Sequence, residues 1–245
     1  MPPPANPTLR EDILAAALRL IEEKGAVGLT MREVAGALGY SATAIYQHFG
    51  GKEELLLALK LRAGDLLTEE MEIGRQEPTL DARLPAMGRR YIQFGLNNPA
   101  YYRLIFQDTL PGVEPTAEQL NRLRRSYEIM RETLAAWVQT GGLQGVDVNH
   151  EANVLWAMVH GITSLALAGR LPFTTHSEIF ALFDLSTARW ASGILSLQPA
   201  PPQKDTQKQA RHTKRSALTN QRSTKTPSGG TRHEPTISRQ SVSTR

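Results

Sequence analysis

The sequence contains no cysteine, so disulfide bonds and thiolate metal sites are excluded. This absence is consistent with a reducing compartment, and we expect a cytoplasmic location. The opening residues, MPPPANPTLRED, have no apolar segment behind a basic start, so they do not resemble a signal peptide.

Long hydrophobic runs are also absent. The longest stretch without a formal charge is the 18-residue segment ANVLWAMVHGITSLALAG, residues 152–169, which is at the lower limit for crossing a bilayer. It includes Asn153, His160 and a Thr-Ser pair, which are costly or weakening in lipid. The composition therefore favours a buried helix, and we expect no membrane partner.

The common signatures of enzymes are missing as well. There is no G-x-S-x-G, P-loop or dinucleotide-binding glycine pattern. His150-Glu151 begins like a zincin helix, but the fourth residue after His150 is Val154, so the second zinc ligand is absent. We expect no catalytic residue, no metal and no cofactor. A helical enzyme would require the fold to bring Asp108, His150 and His160 together.

Positive charge is concentrated at the C-terminus. Residues 204–245 hold ten Lys or Arg against two acids, a net charge of +8. Because the whole chain carries +4, residues 1–203 carry a net −4. Residues 199–245 are rich in Pro, Gln, Ser and Thr, which predicts a disordered basic tail. Such a tail is either simply solvated or a flexible arm that attracts DNA phosphate.

The body of the chain is predicted to be all-α, because helical periodicity recurs and no strand-like alternation with hairpin turns is present. Thr-x-x-Glu/Gln capping boxes predict four helix starts; they are Thr8/Glu11, Thr30/Glu33, Thr116/Gln119 and Thr175/Glu178. The predicted helices are 9–24, 31–38, 42–48, 52–73, 81–97, 99–107, 117–140, 150–168 and 176–196.

Two short helices near the N-terminus have the form of a helix-turn-helix. TMREVAGALG predicts a two-turn helix that is closed by Gly39, and Ser41 is a fresh N-cap for ATAIYQH. In such a motif the second helix enters the major groove of DNA.

These residues resemble the DNA-binding domain of the TetR/AcrR transcriptional regulators. The matching segment is LTMREVAGALGYSATAIYQHFGGKEELLLAL, with its Thr-initiated helix, Ala-x-x-Leu-Gly turn, Tyr-x-His-Phe and Lys-Glu-x-Leu. The resemblance covers about residues 7–67 and implies a three-helix DNA-binding domain there, with the helix-turn-helix beginning at Thr30.

The resemblance also implies roles for individual residues. Four would face base edges, where Gln can pair with adenine and Ala or Thr can meet a thymine methyl: Ser41, Ala42, Thr43 and Gln47. Three would face phosphates: Tyr46, His48 and Lys52. Gln47 could instead be merely exposed, and Tyr46 could be core. A catalytic His48 is disfavoured because no acid or nucleophile is placed to orient it.

A second resemblance concerns the C-terminal half. VLWAMVHGITSL, with Trp156, His160 and Gly161, and the earlier NPAYYRLIF resemble the TetR-like C-terminal domain named for its Trp-His-Gly pattern. The resemblance implies that residues 75–198 form a larger helical domain for effector binding and dimerisation.

Two sets of residues follow from this second resemblance. The effector pocket would be lined by Tyr91, Phe94, Tyr102, Phe106, Tyr127, Trp137, Trp156 and His160. The dimer interface would use the last two body helices, through Ala157, Gly161, Ser164, Ala168, Trp190 and Ile194. Most aromatic residues at helical spacing are simply core, and His160 could equally be a satisfied buried histidine.

Together these observations predict a homodimeric, sequence-specific DNA-binding regulator, a repressor that a small-molecule effector releases from its operator. Two alternatives stay open. One is a helical enzyme that uses the C-terminal pocket. The other is an architectural DNA-binding protein without an effector, which a pocket filled by its own side chains would favour.

Overall fold

The computed structural model describes residues 7–108, 110, 112, 114–141, 143–173 and 175–198. The predicted basic tail, residues 199–245, lies outside the described residues. Within them the chain forms helices and no strand, as the all-α prediction requires. The helices are α1 (Pro7–Lys24), α2 (Met31–Leu38), α3 (Ala42–Tyr46), α4 (Lys52–Arg75), α5 (Leu80–Asn97), α6 (Pro99–Phe106), α7 (Ala117–Thr140), α8 (Val148–Leu167) and α9 (His176–Ser196).

Three of the four predicted capping boxes are confirmed. At the starts of α2, α7 and α9 a threonine side chain accepts from the backbone N–H three residues on, and the Glu or Gln there accepts from the threonine N–H. The prediction at Thr8 is wrong, because α1 begins at Pro7 and Thr8 lies inside the helix. The Glu11 carboxylate is paired with Arg62 of α4 instead.

Helices α1, α2 and α3 share one small apolar core. Ile13 of α1, Val34 of α2 and Ile45 of α3 are all completely buried in it. Gly39 ends α2 with φ 72°, a left-handed conformation that a residue with a Cβ adopts only at a cost. This turn lets α3 begin two residues later, after its N-cap Ser41.

Helix α4 joins this N-terminal unit to the rest of the body. It packs against α1 near its start and against α5, α6 and α7 along its length. It also runs unbroken through the predicted interval between domains, residues 67–75, so both predicted domains share it. At Gly74 an added Cβ would lie 2.8 Å from Met87 Cα, so the backbones of α4 and α5 cross closely there.

The long uncharged segment forms most of α8. Its inward face is buried at Ala152, Leu155 and Val159. Over the part of the chain that the structure describes, no helix is both long enough and apolar enough to span a membrane.

Candidate nucleic-acid interface and core cavity

Helix α3 presents uncharged polar groups on the outside of the N-terminal unit. Thr43, Tyr46 and Gln47 are exposed, and Tyr46 retains 51% of its side-chain accessibility. The alternate face holds Ile45 and Phe49, both fully buried. The amphipathic pattern of α3 therefore fixes which of its side chains can reach another molecule.

The start of α3 is set by a side-chain cap. The Ser41 hydroxyl accepts from the backbone N–H of Ala44, with a donor–acceptor distance of 3.3 Å. Ser41 is exposed and Ala42 is half-buried. Tyr40, to which the sequence analysis gives no role, is also 49% exposed directly before the cap.

Thr30 and Glu33 form the cap of α2. The Glu33 carboxylate accepts from the Thr30 N–H at 3.1 Å and is paired with Lys24 of α1. Hydrogen bonding from Lys24, followed by that from Thr30, lowers the pKa of Glu33 from its ordinary value. The structure thus places an ionised carboxylate beside Thr30, with Lys24 offsetting its charge.

His48 follows α3 and is half-buried. Its Nδ1 atom is buried and, among the described residues, has no hydrogen-bond partner. An unprotonated ring nitrogen is cheaper to leave unpaired than an N–H donor, since buried donors are almost always satisfied. The geometry therefore favours the tautomer that carries the proton on Nε2, and this leaves Nε2–H as the donor.

Lys52 opens α4 at the edge of the same surface. Its ammonium donates to the backbone carbonyl of Val27 at 2.7 Å, which ties the α1–α2 connection to α4. The next residues, Glu53 and Glu54, place acids in the first turn of α4, and Glu54 accepts from the Gly50 N–H at 2.7 Å. The free N–H groups at this helix start therefore face carboxylates of the same chain as well as solvent.

Six of the eight residues that are predicted to line an effector pocket form one connected aromatic cluster between α5, α6, α7 and α8. Ring centroids within it lie between 5.0 and 6.5 Å apart. Its members are Tyr91, Tyr102, Phe106, Tyr127, Trp156 and His160.

His160 is held by two tyrosine hydroxyls. The Tyr102 hydroxyl lies 2.9 Å and the Tyr91 hydroxyl 3.1 Å from His160 Nδ1. Burial lowers the pKa of His160, and burial also raises the pKa of Tyr102 to about 12 and that of Tyr91 still further. All three groups are therefore neutral near pH 7, with Nδ1 as the acceptor.

The other two predicted pocket residues lie elsewhere. Phe94 is buried on α5 but is not part of the cavity wall described below. The indole N–H of Trp137 donates to Asp81 at 2.6 Å, and its ring packs on Trp190 of α9 at 5.7 Å between centroids.

A small apolar cavity of about 20 Å³ adjoins the aromatic cluster. This volume is little more than one water molecule needs. Its walls come from α4, α5, α7, α8 and α9, and consist of Met71, Leu84, Met87, Gly88, Tyr91, Met130, Leu155, Trp156, Val159, Phe183 and Thr187. Only Tyr91 and Trp156 are anticipated by the sequence analysis, since aliphatic lining residues have the same periodicity as ordinary core.

The residues predicted for a dimer interface divide into two groups. Ala157 and Ala168 are exposed, and Gly161 and Ser164 are half-buried, on the outward side of α8. By contrast, Ile194 is 7% exposed, and the Trp190 indole donates to Glu151 at 2.8 Å, so both pack within the subunit.

An exposed apolar stripe runs along both of the last two helices. On α8 it includes Val154 and Leu165, which are 37% and 44% exposed. On α9 it includes Leu185 and Leu195, which are 48% and 52% exposed. Exposed small residues lie between them at helical spacing: Ala157, Ala168, Ala181 and Ala188. We call these eight residues the α8–α9 stripe.

Within the described ranges, no three His, Asp or Glu side chains are grouped so as to hold a metal ion. His160 has tyrosine partners, and His150 is exposed near the start of α8.

Two family models match the chain. The model described as bacterial regulatory proteins, tetR family, matches residues 13–59. The model described as tetracyclin repressor-like, C-terminal domain, matches residues 84–189. An uncharacterized HTH-type transcriptional regulator of Mycobacterium tuberculosis is 26% identical over 186 residues, which span 76% of this chain and 81% of the relative.

Solved structures agree with the sequence matches. A protein of unknown function from Rhodococcus sp. RHA1 is 26% identical and superimposes with a TM-score of 0.67, covering 78% of this chain and 98% of its own. The TetR family regulator PfmR from Thermus thermophilus is 24% identical, has a TM-score of 0.57 and covers 71% and 95%, a likeness of fold. The chain belongs to the TetR family of transcriptional regulators.

Proposed function

We propose that this regulator is a homodimeric repressor that binds an operator through α3 and leaves it when a small molecule enters the core cavity. The observation that carries the DNA-binding part is the composition of α3. Its inward residues are wholly buried, and its outward residues are uncharged hydrogen-bonding side chains on a capped helix. Such side chains read base edges rather than merely attracting phosphate.

Base readout is assigned to the start and outward face of α3, and phosphate contact to its margins. Gln47 offers an amide that can pair bidentately with adenine, and Thr43 offers a hydroxyl and a methyl group. Ser41 and Ala42 lie at the helix start nearest the groove. Tyr46, His48 through Nε2–H, and Lys52 contact phosphates, and Thr30 lies at the start of the motif.

Two subunits are needed because one DNA-binding unit is close to neutral. Residues 8–60 contain six Lys or Arg and seven acids, so a single copy gains little from counterion release. The α8–α9 stripe supplies an apolar surface for a second copy, and its small residues permit close helix approach. In the resulting dimer, the two α3 helices would meet half-sites roughly 34–36 Å apart.

The cavity is connected to the DNA-binding unit through α4. Met71 of α4 and Met87 of α5 both line it, and Met87 also contacts Gly74 where the two backbones cross. A ligand that displaces Met87 would therefore push on α4, whose other end begins at the recognition surface. The ligand shifts the equilibrium only by its differential affinity for the two positions of α4.

A second candidate function is an effector-independent DNA-binding regulator. The observation in its favour is the small volume of the cavity, about 20 Å³, because the side chains of the chain itself already fill the space. The two candidates differ in whether the cavity can open to a ligand. We also propose that the protein acts in the cytoplasm, where its DNA is, and that it has no enzymatic activity.

Selection of bound duplexes from a random-sequence pool tests the DNA-binding part. We expect enrichment of a palindromic site with half-sites one helical turn apart, and protection of both half-sites in footprinting. Recovery of unrelated sequences, with no common half-site, would contradict the proposal.

A further inference from the structure

The wall of the core cavity carries no charged side chain. Three methionines and the aliphatic residues Leu84, Leu155 and Val159 make up most of it. The Tyr91 hydroxyl is within hydrogen-bond distance of His160, and the Thr187 hydroxyl donates to the Phe183 carbonyl at 2.9 Å. The indole N–H of Trp156 completes the polar groups of the wall, and it too is uncharged.

This wall discriminates against ionic ligands. A carboxylate or ammonium group inside it would lose its hydration and find no opposite charge, which is a severe cost. The nearest titratable group beyond the wall is His160, which is neutral near pH 7 because burial lowers its pKa. Hydrocarbon would lose nothing on entry and would leave water.

The same wall can enlarge. Met71, Met87 and Met130 approach from three different helices, and methionine side chains re-pack at low cost. The Phe183 ring lies directly on Gly88, where an added Cβ would be 2.0 Å from Phe183 Cζ. Rotation of this ring away from Gly88 would free the volume of an aromatic side chain.

We propose that the cavity binds an uncharged, mainly hydrocarbon molecule, which takes the space that Phe183 and the three methionines vacate. This inference rests on the ligand-responsive function proposed above, because it names the class of effector. It commits to a neutral ligand and against fatty acids and organic cations.

The test compares three probes with one chain length, which are octan-1-ol, octanoate and octylammonium, on the full-length protein near pH 7.5. Binding is followed by calorimetry and by tryptophan fluorescence, since Trp156 is in the wall. We expect octan-1-ol to bind at least about tenfold more tightly than either ion. Equal or tighter binding of octanoate or octylammonium, or no binding of any probe, would overturn the inference.

Matched substitutions on α9 locate the site. Phe183→Leu enlarges the cavity and is expected to tighten octan-1-ol binding by roughly three- to tenfold. Phe180→Leu, one turn away and outside the wall, leaves the affinity unchanged. Val159→Met fills the cavity and should weaken binding several-fold, which keeps the test valid if Phe183→Leu folds poorly. Octan-1-ol binding that ignores both wall substitutions would contradict the assignment.

Operator release, measured separately by fluorescence anisotropy, distinguishes the two proposals. If octan-1-ol binds in the cavity but operator affinity does not change, the ligand class is supported and the ligand-responsive function fails. If only the ionic probes release the operator, the function is supported and the ligand class is overturned.

Discussion

The recognition surface and the core cavity differ in how their residues are distributed along the chain. The surface is drawn from one local segment, Thr30 to Lys52, in which two helices and their caps set every side chain. The cavity is assembled from five helices between Met71 and Thr187. A local segment has a readable pattern, whereas a cavity depends on how distant helices cross. The two regions therefore call for different experiments.

The largest expected effect comes from breaking the pairing of two recognition surfaces. Leu185→Arg places a charge in the α8–α9 stripe and should convert the dimer to a monomer. Operator affinity should fall by roughly 10²–10⁴-fold, because the second half-site no longer binds intramolecularly. Light scattering and anisotropy measure the two effects.

Leu120→Arg is the matched control for this substitution. Leu120 is 39% exposed on α7, outside the stripe, and the same change there should leave the dimer intact. A Leu185→Arg protein that remains dimeric would contradict the assignment of the interface.

The next effect tests whether the recognition surface depends on its own small core. Phe49 is completely buried, and Arg10 lies over its ring at 4.7 Å. Phe49→Ala should lower the free energy of unfolding by about 3–5 kcal/mol. Exposed Tyr46→Ala should change it by less than about 1 kcal/mol, as judged by chemical denaturation. Equal losses would mean that α3 is not amphipathic as described.

A smaller effect concerns one base position. Gln47→Ala should cost about 1–3 kcal/mol of discrimination at a single position of the operator and leave other positions unchanged. Competition binding against duplexes that differ by one base pair measures this difference. Uniform weakening across all duplexes would move Gln47 from base readout to general contact.

The comparison also explains what the sequence could predict. No helix boundary differs from its predicted position by more than two residues, because periodicity and caps are local signals. Asp147 accounts for the earlier start of α8, since its carboxylate accepts from the N–H groups of Asn149 and His150. The Thr8 box failed because a matching pattern does not show which residue begins the helix.

The cavity shows the limit of such prediction. The aromatic cluster was anticipated because Tyr, Trp and His are rare and have a familiar spacing. Met71, Met130 and Phe183 could not be selected, since their sequence pattern is that of any buried residue. Trp190 and Ile194 were assigned to a dimer surface, yet they pack within the subunit, because the direction in which a helix face points depends on its neighbours.

The smallest effect on stability is a pH dependence within the aromatic cluster. The pKa of His160 lies below its ordinary 6.5, so near pH 6 the unfolded chain binds more protons at this site than the folded protein does. The stability that neutral His160 contributes is therefore complete above about pH 6.5 and is lost as the pH falls through the lowered pKa.

The variant His160→Gln removes this titration. We expect the difference in unfolding free energy between wild type and variant to shrink as the pH falls from about 8 to 5. Denaturation at several pH values measures it. Parallel profiles would show that His160 does not titrate between the two states.

The measurement that tests the account most directly is the salt dependence of operator affinity. Lys52→Ala should flatten the plot of log affinity against log salt by about one unit per subunit, and Tyr46→Phe should weaken binding about equally for all sequences. Lys60→Ala removes the same charge further along α4 and is the control, with a nearly unchanged slope. If the Lys52 and Tyr46 variants bind like wild type at every salt concentration, the surface from Thr30 to Lys52 is not the one that docks on DNA.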